Sequence, residues 1–509
     1  MGARYAQPMT EKGSGDPPDA HGGHDLPNDA FRAAAHEVVD IMADYLARIE
    51  DRAVLPTIEP GSLIGTFARS APEAPEAIGA ILADYRRLIE PNVTAWQHPG
   101  FMGLFATTAS GPGILGEMLA ATLGSNAMLW RTSPVATELE IVVVRWLREA
   151  LGLPAAFEGL FTDTASISSL IALAAAREAA GLDAAALGLA ARPDLGAPRV
   201  YISDEAHSSI DKACMTLGLG RAAVVRIATN DRFEMDVATL EAAIAADRAA
   251  GRRPIAIVAT LGTTSSTSID PVAAIADVAE REGLWLHVDA AYGGAAAIVP
   301  ELRGPFAGWE RADSIVVNPH KWLFVPFDAS LFLSRRLDQV RRAFSLRPEY
   351  LPGLVEGSVA RDLHEFTPQL GRRFRALKVW IQLRAFGLEA HRAAIRDHIA
   401  LAQGLALEVE GAPDWELVAP VRFSTVCLRH VPVSLAGRSR DASVAERLDA
   451  VNVAIMDAVN ATGEAYVSST RLGGVFTIRV AIGNLRTERR HVDRVWELLR
   501  EAAASQRAV

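Results

Sequence analysis

The stretch Val316-Val317-Asn318-Pro319-His320-Lys321-Trp322 places a single lysine directly after a short apolar run. A lysine at the exit of a buried strand can lose its proton at modest pH, because burial disfavours the charged ammonium form. The neutral amine can then attack an aldehyde. Most lysines are solvated, so a surface position for Lys321 stays open as the alternative at this point.

The sequence around this stretch alternates short β-branched runs with alanine-rich segments, from about residue 111 to about residue 386. Such alternation is typical of a mostly parallel sheet covered by helices. Strands are predicted at 200–202, 255–261, 284–288 and 315–317. Because parallel sheets bind ligands at the carboxyl ends of their strands, the sequence predicts an α/β domain with a site at one sheet edge.

The chain divides into four predicted regions. Residues 1–26 are predicted to be a disordered tail, since they are rich in Gly, Pro, Asp and His. Residues 27–110 are predicted to form an N-terminal helical arm, with helical spacing of apolar residues over 28–90. The large domain is predicted at 111–390. A smaller α+β domain is predicted at 391–509, with strand-like runs at 421–428 and 476–481 and a closing helix at 487–504.

Composition excludes several classes of function. The formal charge of -10 and the lack of a long Lys/Arg run make a nucleic-acid partner a poor prediction. No apolar run approaches the roughly 20 residues of a membrane span. The two cysteines, Cys214 and Cys427, lack the spacing of a disulfide framework or a zinc site. We therefore expect a cytoplasmic protein that binds no metal, no membrane and no nucleic acid.

Two further side chains follow predicted strands. Asp289 follows 284–288, where a buried carboxylate needs a positive partner, and a protonated pyridine nitrogen would provide one. Ala291 is small enough to lie beneath such a ring. His207 follows 200–202, where an imidazole can stack on a pyridine ring, bind a carboxylate or carry a proton. A turn aspartate and a solvated histidine are the simpler alternatives for these two residues.

The stretch Phe161-Thr162-Asp163-Thr164-Ala165-Ser166 leads directly into the helical pattern of 167–180. Small hydroxyl residues at a helix start suit a phosphate, because N–H groups and the helix dipole face the anion there. An ordinary serine N-cap uses the same residues and is the alternative. Taken together, the four strand exits supply an amine, an acid, a ring contact and a phosphate site. Pyridoxal 5′-phosphate (PLP) needs all four.

These residues also match a known family. The chain resembles the PLP-dependent group II decarboxylases, the family of aromatic amino acid and glutamate decarboxylases, and the aromatic L-amino acid branch fits best. The likeness covers about residues 26 to 504. It includes Trp96-Gln97-His98-Pro99, Ser133-Pro134 with Thr137-Glu138-Leu139-Glu140, Ala259-Thr260-Leu261-Gly262-Thr263-Thr264, His287-Val288-Asp289-Ala290-Ala291-Tyr292, Asn318-Pro319-His320-Lys321-Trp322 and Leu370-Gly371-Arg372-Arg373-Phe374-Arg375.

The resemblance implies a fold-type I PLP enzyme, a lyase that decarboxylates an L-amino acid, aromatic by its best-fitting branch, to the amine and carbon dioxide. It implies that Lys321 forms the Schiff base with the cofactor, that Asp289 holds the pyridine nitrogen and that His207 stacks on the ring. Contacts with the cofactor or its phosphate are expected from Thr164, Ala165, Ser166, Thr264, Ala291, Asn318 and His320. The resemblance also implies a homodimer with active sites between the subunits.

The family's substrate pocket maps to a set with fewer aromatic side chains than a catechol or an indole would lead us to expect. The set comprises Trp96, Leu104, Phe105, Thr107, Asn126 and Met128, together with His207. Met128 can adapt to many shapes. Asn126, facing the partner's site, would add a polar contact. An aromatic substrate remains the prediction, and an acidic one is less favoured.

The sequence departs from the family at the mobile loop before Leu370. The aromatic branch usually carries a proton-donating tyrosine there, and the matching position is Leu363, followed by His364. Leucine cannot donate a proton. Either His364, His207 or water takes that task, or the substrate carbanion survives long enough to meet oxygen, as in family members that make aldehydes.

A second departure lies near the expected phosphate site, where Asp163 and Ile167 replace a glycine and an acidic or amide residue. A carboxylate there is unfavourable unless its side chain turns away. Three alternatives to simple decarboxylation stay open: an oxidative aldehyde synthase, a decayed scaffold that only binds PLP, and an aminotransferase or desulfurase of the same fold, since fold alone does not fix chemistry.

Overall fold

The computed structural model describes residues 25–190, 192–346, 360–435, 437–438 and 441–506. The predicted tail, 1–26, therefore lies outside the described residues except for its last two. The described chain forms two compact units, one of residues 25–51 and 56–94 and the other of residues 52–55 and 95–506.

Helices and strands alternate through most of the larger unit. The helices are α1 (Asn28–Ala47), α2 (Ile78–Asp84), α3 (Gly111–Leu123), α4 (Pro134–Ala150), α5 (Ala165–Ala179), α6 (Ala184–Leu187), α7 (Ser209–Thr216), α8 (Val237–Ala249), α9 (Val272–Glu282), α10 (Pro319–Trp322), α11 (Leu337–Phe344), α12 (Arg375–Glu410), α13 (Ala442–Ala461) and α14 (Arg489–Gln506). The strands are β1 (Glu158–Thr162), β2 (Pro198–Ser203), β3 (Val224–Ile227), β4 (Arg253–Thr260), β5 (Trp285–Asp289), β6 (Ser314–Val317), β7 (Ser330–Ser334), β8 (Trp415–Leu417), β9 (Thr425–His430), β10 (Ser468–Leu472) and β11 (Val475–Ala481).

The smaller unit contains α1 and α2. The helical prediction for residues 28–90 is wrong between these two helices, where only single turns form. Pro56, Pro60, Pro72 and Pro75 fall in this segment. Proline lacks an N–H group and clashes with the preceding turn, so a long helix cannot run through them.

A seven-stranded sheet organises the larger unit, in the order β1-β7-β6-β5-β4-β2-β3. Strands β3, β2, β4, β5 and β6 are parallel, whereas β7 runs antiparallel to both β6 and β1. The predicted mostly parallel sheet and its four predicted strands are confirmed. Because β1 is thus parallel to the other strands, the carboxyl ends of β1, β2, β4, β5 and β6 lie at one edge of the sheet.

Apolar residues cover both faces of this sheet. One hydrophobic cluster joins the sheet to α4, α8, α9 and α12, and a second joins it to α5, α7 and α11. The strands are buried on both sides, which explains their almost uninterrupted apolar sequences. This two-sided burial fixes the sheet edge that carries the candidate site.

The C-terminal part contains a four-stranded antiparallel sheet, in the order β10-β11-β9-β8, with its own hydrophobic cluster. Helix α12 leads into this part and breaks at Gly387, whose φ of 69° is accessible mainly to glycine. The helix continues past residue 390, where the boundary between the large and the small domain was predicted. The domain boundaries therefore stay predictions.

Two kinds of feature are absent from the described residues. None of their helices combines the length and the apolar character that crossing a membrane requires. No group of three or more His, Cys, Asp or Glu side chains among them is placed to hold a metal ion.

Candidate active site

The turn that carries Lys321 is anchored by backbone hydrogen bonds on both sides. The N–H of Asn318 donates to the carbonyl of Ala291 at 3.0 Å, which joins the end of β6 to the end of β5. The Ala329 N–H donates to Nδ1 of the buried His320 at 2.9 Å, and the His320 N–H donates to the Ala329 carbonyl at 3.2 Å. The position of Lys321 is therefore set by its own neighbours in the fold.

The environment of Lys321 favours its neutral form. Burial lowers the pKa of this amine, Arg479 lowers it further, and Asp289 opposes the shift. The Nζ atom lies 5.3 Å from the centre of the Phe105 ring. Lys321 therefore combines a lowered pKa with an aromatic wall, as a nucleophilic lysine requires.

Asp289 is the last residue of β5 and is 6% exposed. Its Oδ1 accepts a hydrogen bond from the Ala291 N–H at 3.1 Å. The charge of Asp289 raises the pKa of both Lys321 and His207 against the effect of burial. Strand β5 thus delivers one carboxylate to the neighbourhood of an amine and an imidazole.

His207 lies in the turn between β2 and α7. Its Nδ1 accepts a hydrogen bond from the Ser209 N–H at 3.1 Å, so the proton of the neutral ring is on Nε2. Desolvation lowers the pKa of His207, with Lys321 and Lys212 acting in the same direction, although part of the side chain is exposed. The ring therefore presents a neutral imidazole with a donor at Nε2.

The start of α5 is more open than the lysine turn. Thr164 is the N-cap residue but its side chain makes no capping bond, and Ser166 is exposed. Asp163 turns its Oδ1 onto the Thr164 N–H at 2.6 Å and its Oδ2 toward Gln369 Nε2 at 3.4 Å. The carboxylate thus occupies one of the N–H groups that a phosphate would use.

The remaining predicted cofactor contacts follow the same sheet edge. Thr264 is exposed in the turn after β4, and Ala165 is half-buried in the first turn of α5. Asn318 is buried at the end of β6, and its Oδ1 has no hydrogen-bond partner. Strand ends therefore gather the predicted cofactor contacts, as the βαβ pattern indicates.

The predicted substrate residues fall into two groups. Phe105 stacks on Tyr292, with ring centres 3.7 Å apart, and Trp96 packs on Phe101 at 4.3 Å, with Thr107 half-buried in the same segment. Phe105 is the residue of this group that approaches Lys321.

Asn126 and Met128 belong to a second group, around Arg372. Asn126 Oδ1 accepts the Arg372 N–H at 2.9 Å, and its Nδ2 lies 3.3 Å from Met128 Sδ. Arg372 in turn forms a buried ion pair with Glu140 at 2.6 Å. The amide that was expected to contact the substrate is therefore already engaged within its own subunit.

Leu363 and His364, expected on a mobile loop, lie in a single packed turn, Leu363–Phe366. The Leu363 side chain is 1% exposed and joins the hydrophobic cluster of Phe332 and Val340. The His364 N–H donates to the Met128 carbonyl at 3.2 Å. The structure thus places the position of the missing tyrosine inside a hydrophobic core.

Arg479 is a site residue that the sequence analysis missed. Its guanidinium lies 4.5 Å from the Phe105 ring centre and donates to the carbonyls of Ser265 at 3.1 Å and Gly103 at 2.7 Å. Its Nη2 is buried without a hydrogen-bond partner, and burial lowers the pKa of the group. An arginine in the apolar run 475–481 was the available signal, because charged residues are rarely buried without a purpose.

Comparison with known proteins decides the family. Residues 60–431 match the family model of the pyridoxal-dependent decarboxylase conserved domain, which is well over half of the chain. The chain belongs to the pyridoxal-dependent decarboxylase family. The predictions of a PLP-dependent decarboxylase and of its cofactor are confirmed.

Similar proteins cover nearly the full length of this decarboxylase. Aromatic-L-amino-acid decarboxylase of Sus scrofa is 38% identical over 93% of this chain and 96% of its own length. Phenylacetaldehyde synthase of Arabidopsis thaliana is 37% identical over 94% of this chain and 97% of its own length. The crystal structure of Oryza sativa TDC with PLP and tryptamine superimposes with a TM-score of 0.89, at 35% identity, over 94% of this chain and 99% of that one.

The residues at the sheet edge fit PLP. The decarboxylase presents an amine of lowered pKa at Lys321, a carboxylate at Asp289 and a neutral imidazole at His207. Asn318 Oδ1 and Arg479 Nη2 are among the buried polar atoms of the described residues that have no hydrogen-bond partner. A polar ligand at the site would satisfy both atoms.

Proposed function

We propose that this decarboxylase removes the carboxylate of an aromatic L-amino acid and releases the amine and carbon dioxide. The observation that carries the proposal is the aromatic wall at the lysine. The Phe105 ring lies 5.3 Å from Lys321 Nζ and is stacked on Tyr292. A stacked aromatic wall beside the reacting amine favours a substrate with a flat apolar side chain.

When bound, PLP supplies an electrophilic aldehyde and a ring that withdraws electrons from the substrate carbon. Lys321 would supply the amine that binds the aldehyde. Asp289 would hold the protonated ring nitrogen, because a buried carboxylate favours a positive partner. His207 would contact the ring with a neutral imidazole, and the small side chain of Ala291 would leave room for it.

The phosphate is assigned to the start of α5 and the adjoining turns. Thr164, Ala165 and Ser166 offer N–H and hydroxyl groups at the positive end of the helix dipole, and Thr264, Asn318 and His320 complete the set. Burial lowers the pKa of His320 to about 3, so this ring is neutral and acts as a hydrogen-bond donor rather than as a counter-ion.

Arg479 is assigned to the substrate carboxylate. Its Nη2 is a buried donor without a partner, and the charge of Arg479 acts on Lys321. Hydrogen bonds between a guanidinium and a carboxylate are strong and directional. Arg479 would therefore hold the carboxylate in a fixed direction relative to Lys321 while the bond to the substrate carbon breaks.

A homodimer in the cytoplasm is part of the same proposal. Helix α3 exposes Leu115, Leu119 and Leu123, each more than half exposed and four residues apart. Such an apolar stripe on a helix is typical of a surface that another protein covers. Cys214 and Cys427 are both free and buried, which suits a reducing compartment.

An end-point assay tests the proposal. The PLP-loaded protein is incubated with Trp, Phe, Tyr, dihydroxyphenylalanine and Glu, and carbon dioxide, amine, aldehyde, ammonia and peroxide are measured together. We expect amine equal to carbon dioxide with at least one aromatic substrate and no reaction with Glu. A reaction with Glu alone, or with none of the five, would contradict the aromatic assignment.

The lack of a hydroxyl at Leu363, together with the similarity to phenylacetaldehyde synthase, supports an oxidative reaction as the second candidate. With no hydroxyl at this position, proton delivery to the substrate carbon is slower, and oxygen can react first. Dioxygen then takes up two electrons and becomes hydrogen peroxide, while water supplies the aldehyde oxygen and ammonia leaves. Aldehyde, ammonia and peroxide in equal amounts would establish this candidate in the same assay.

A further inference from the structure

Trp322, the residue directly after Lys321, is fully buried and bonded on its indole edge. Its Nε1–H donates to His398 Nδ1 at 2.9 Å, and the two rings are nearly coplanar, with centres 6.4 Å apart and planes at 3°. A buried indole N–H without an acceptor would be destabilising. Helix α12, which carries His398, therefore fixes the residue that adjoins the lysine.

His398 is neutral, so it can accept this bond. Burial lowers the pKa of His398 to about 4, and the neighbouring backbone of Asn484 acts in the opposite direction. Because Nδ1 accepts from Trp322, the ring proton lies on Nε2. His398 thus lies between Trp322 and the segment that follows β11.

Asn484 extends the connection to the substrate side. Its side chain is buried, and Nδ2 donates to the carbonyls of Trp96 at 3.2 Å and His98 at 2.8 Å. His398 binds Trp322, and Asn484, whose backbone neighbours the His398 ring, binds the carbonyl of Trp96. These contacts connect the lysine turn to the segment that carries the aromatic wall.

The rings form a second connection between the same two regions. Tyr292 lies between Phe105 and Trp322, with ring centres 3.7 Å and 4.7 Å away and planes within 13° of parallel. The Tyr292 hydroxyl is fixed by Ser424 Oγ at 2.6 Å. Phe105, Tyr292 and Trp322 thus form one stack, and His398 is bonded to the edge of its last ring.

We propose that Trp322 and His398 are positioning residues that hold the Lys321 amine at a set distance from the aromatic wall of the substrate site. The proposal rests on the function proposed above, since it assigns a task to residues that support Lys321. Neither side chain is assigned to the cofactor or to the substrate. Each acts through the turn that carries the lysine.

Trp322→Phe tests the proposal, because it keeps the stacked ring and removes the N–H. The matched control is Trp285→Phe in β5. Trp285 is also buried, and its Nε1–H donates to Ser314 Oγ at the same 2.9 Å, but it takes no part in the lysine turn. Both variants lose one buried hydrogen bond, so a merely structural role would give them the same melting temperature and the same cofactor spectrum.

We expect the two variants to differ in the spectrum of bound PLP and in kcat, and not only in melting temperature. In Trp322→Phe the visible absorbance band of lysine-bound PLP should titrate with a midpoint shifted by about half a pH unit, and kcat should fall about fivefold with KM nearly unchanged. Trp285→Phe should keep the wild-type midpoint and kcat. Equal midpoints and equal kcat in the two variants would overturn the proposal.

His398 provides an independent test should Trp322→Phe fail to fold. His398→Leu removes the acceptor of the Trp322 N–H, whereas His398→Gln retains an acceptor. We expect the band midpoint of His398→Gln to lie closer to wild type than that of His398→Leu, and the reverse order would overturn the proposal. Wild-type protein that shows no band with PLP would instead refute the proposed function, so the two failures are distinguishable.

Discussion

The lysine turn and the start of α5 border the same sheet edge but are held in different ways. Asn318, His320 and Trp322 are buried, and backbone or ring hydrogen bonds fix the turn. At the start of α5, Ser166 is exposed and the Thr164 side chain makes no capping bond. The backbone of the lysine turn is fixed by hydrogen bonds within the protein, although Asn318 and His320 of this turn also belong to the set assigned to the phosphate. The start of α5 is left for the ligand to complete.

This difference separates two properties that one site must combine. A fixed lysine keeps the amine in reacting geometry without reorganisation. An open phosphate end lets the cofactor enter and bind through groups that are still free. Substitutions at the lysine end should therefore change the chemistry, and substitutions at the phosphate end should change cofactor affinity.

The largest effect is expected from Lys321→Ala. The substitution removes the amine assigned to the cofactor aldehyde, so the visible band of bound PLP should disappear and kcat should fall at least about a thousandfold. Absorbance spectra and single-turnover assays measure both quantities.

Lys378→Met is the matched control for Lys321→Ala. Burial lowers the pKa of Lys378 to about 7, yet this lysine lies on α12 and is not assigned to the cofactor. The control should retain the band. A band that survives in Lys321→Ala and vanishes in Lys378→Met would reverse the assignment.

Arg479→Met probes the substrate side of the lysine end. Loss of a charged hydrogen bond to the substrate carboxylate should lower kcat/KM about 10- to 100-fold, while the PLP band is retained. Steady-state kinetics and PLP titration separate the two quantities.

Arg429→Met is the control for Arg479→Met. Arg429 is equally buried but is paired with Glu416 at 2.6 Å in the small sheet. Its substitution should lower stability more than kcat/KM. Loss of the PLP band in Arg479→Met, with KM unchanged, would assign Arg479 to the cofactor instead.

His398→Gln should change how stability depends on pH. The pKa of His398 is lowered to about 4 in the folded protein, against 6.5 for an unperturbed histidine. Below pH 6.5 the unfolded chain therefore binds a proton that the folded one does not, and this residue costs about 1.4 kcal/mol of stability for each pH unit. The free-energy difference between wild type and variant should shrink by about 2 kcal/mol between pH 7 and pH 5.

Urea unfolding of both PLP-loaded proteins at several pH values measures this difference. Subtracting the free energies of unfolding of the two proteins cancels the contributions of other titrating groups. One such group is Asp270: burial raises its pKa to about 7, so its contribution to stability changes with pH in the opposite direction. The exposed His36 provides a control substitution, His36→Gln. A constant difference across the pH range would show that His398 titrates alike in both states.

The smallest effect is expected at the phosphate end. Asp163→Asn removes a negative charge beside the start of α5 but keeps an acceptor for the Thr164 N–H. PLP should bind about threefold more tightly, because less charge repels its phosphate. Fluorescence titration at low salt measures the dissociation constant, with Asp231→Asn as an exposed control. Weaker binding in Asp163→Asn would mean that the carboxylate organises the helix start.

Local sequence predicted the sheet and the lysine end well. The strand before Lys321 was predicted at 315–317 and is observed at Ser314–Val317. A short apolar β-branched run between polar turns is typical of a buried strand, so local sequence was enough to predict it. Asp289 and His207 follow such runs as well. Their positions at the sheet edge could be read from the chain because strand exits are local features. Their roles stay predictions.

The residues that contact the site from distant parts of the chain could not be predicted from local sequence. Arg479 and His398 lie far along the chain from Lys321, and only the folded chain brings the arginine to Phe105 and the histidine to Trp322. Leu363 could be recognised as a departure, but its burial against Phe332 depends on packing that no local pattern contains. Tertiary structure decides which side chains come into contact. The contacts of Arg479, His398 and Leu363 could therefore not be predicted from local sequence.

The pairing of β1 with β7 has a consequence for synthesis of the protein. β1 (Glu158–Thr162) is the first strand of the described sheet to be made, yet β7 (Ser330–Ser334), the strand it pairs with there, follows roughly 170 residues later. At ribosomal rates of about 5–20 residues per second, β1 waits roughly 10 to 30 seconds for that partner. A nascent chain that ends before Ser330 should therefore expose an unpaired apolar strand and depend on chaperones, although the finished sheet is closed on both faces.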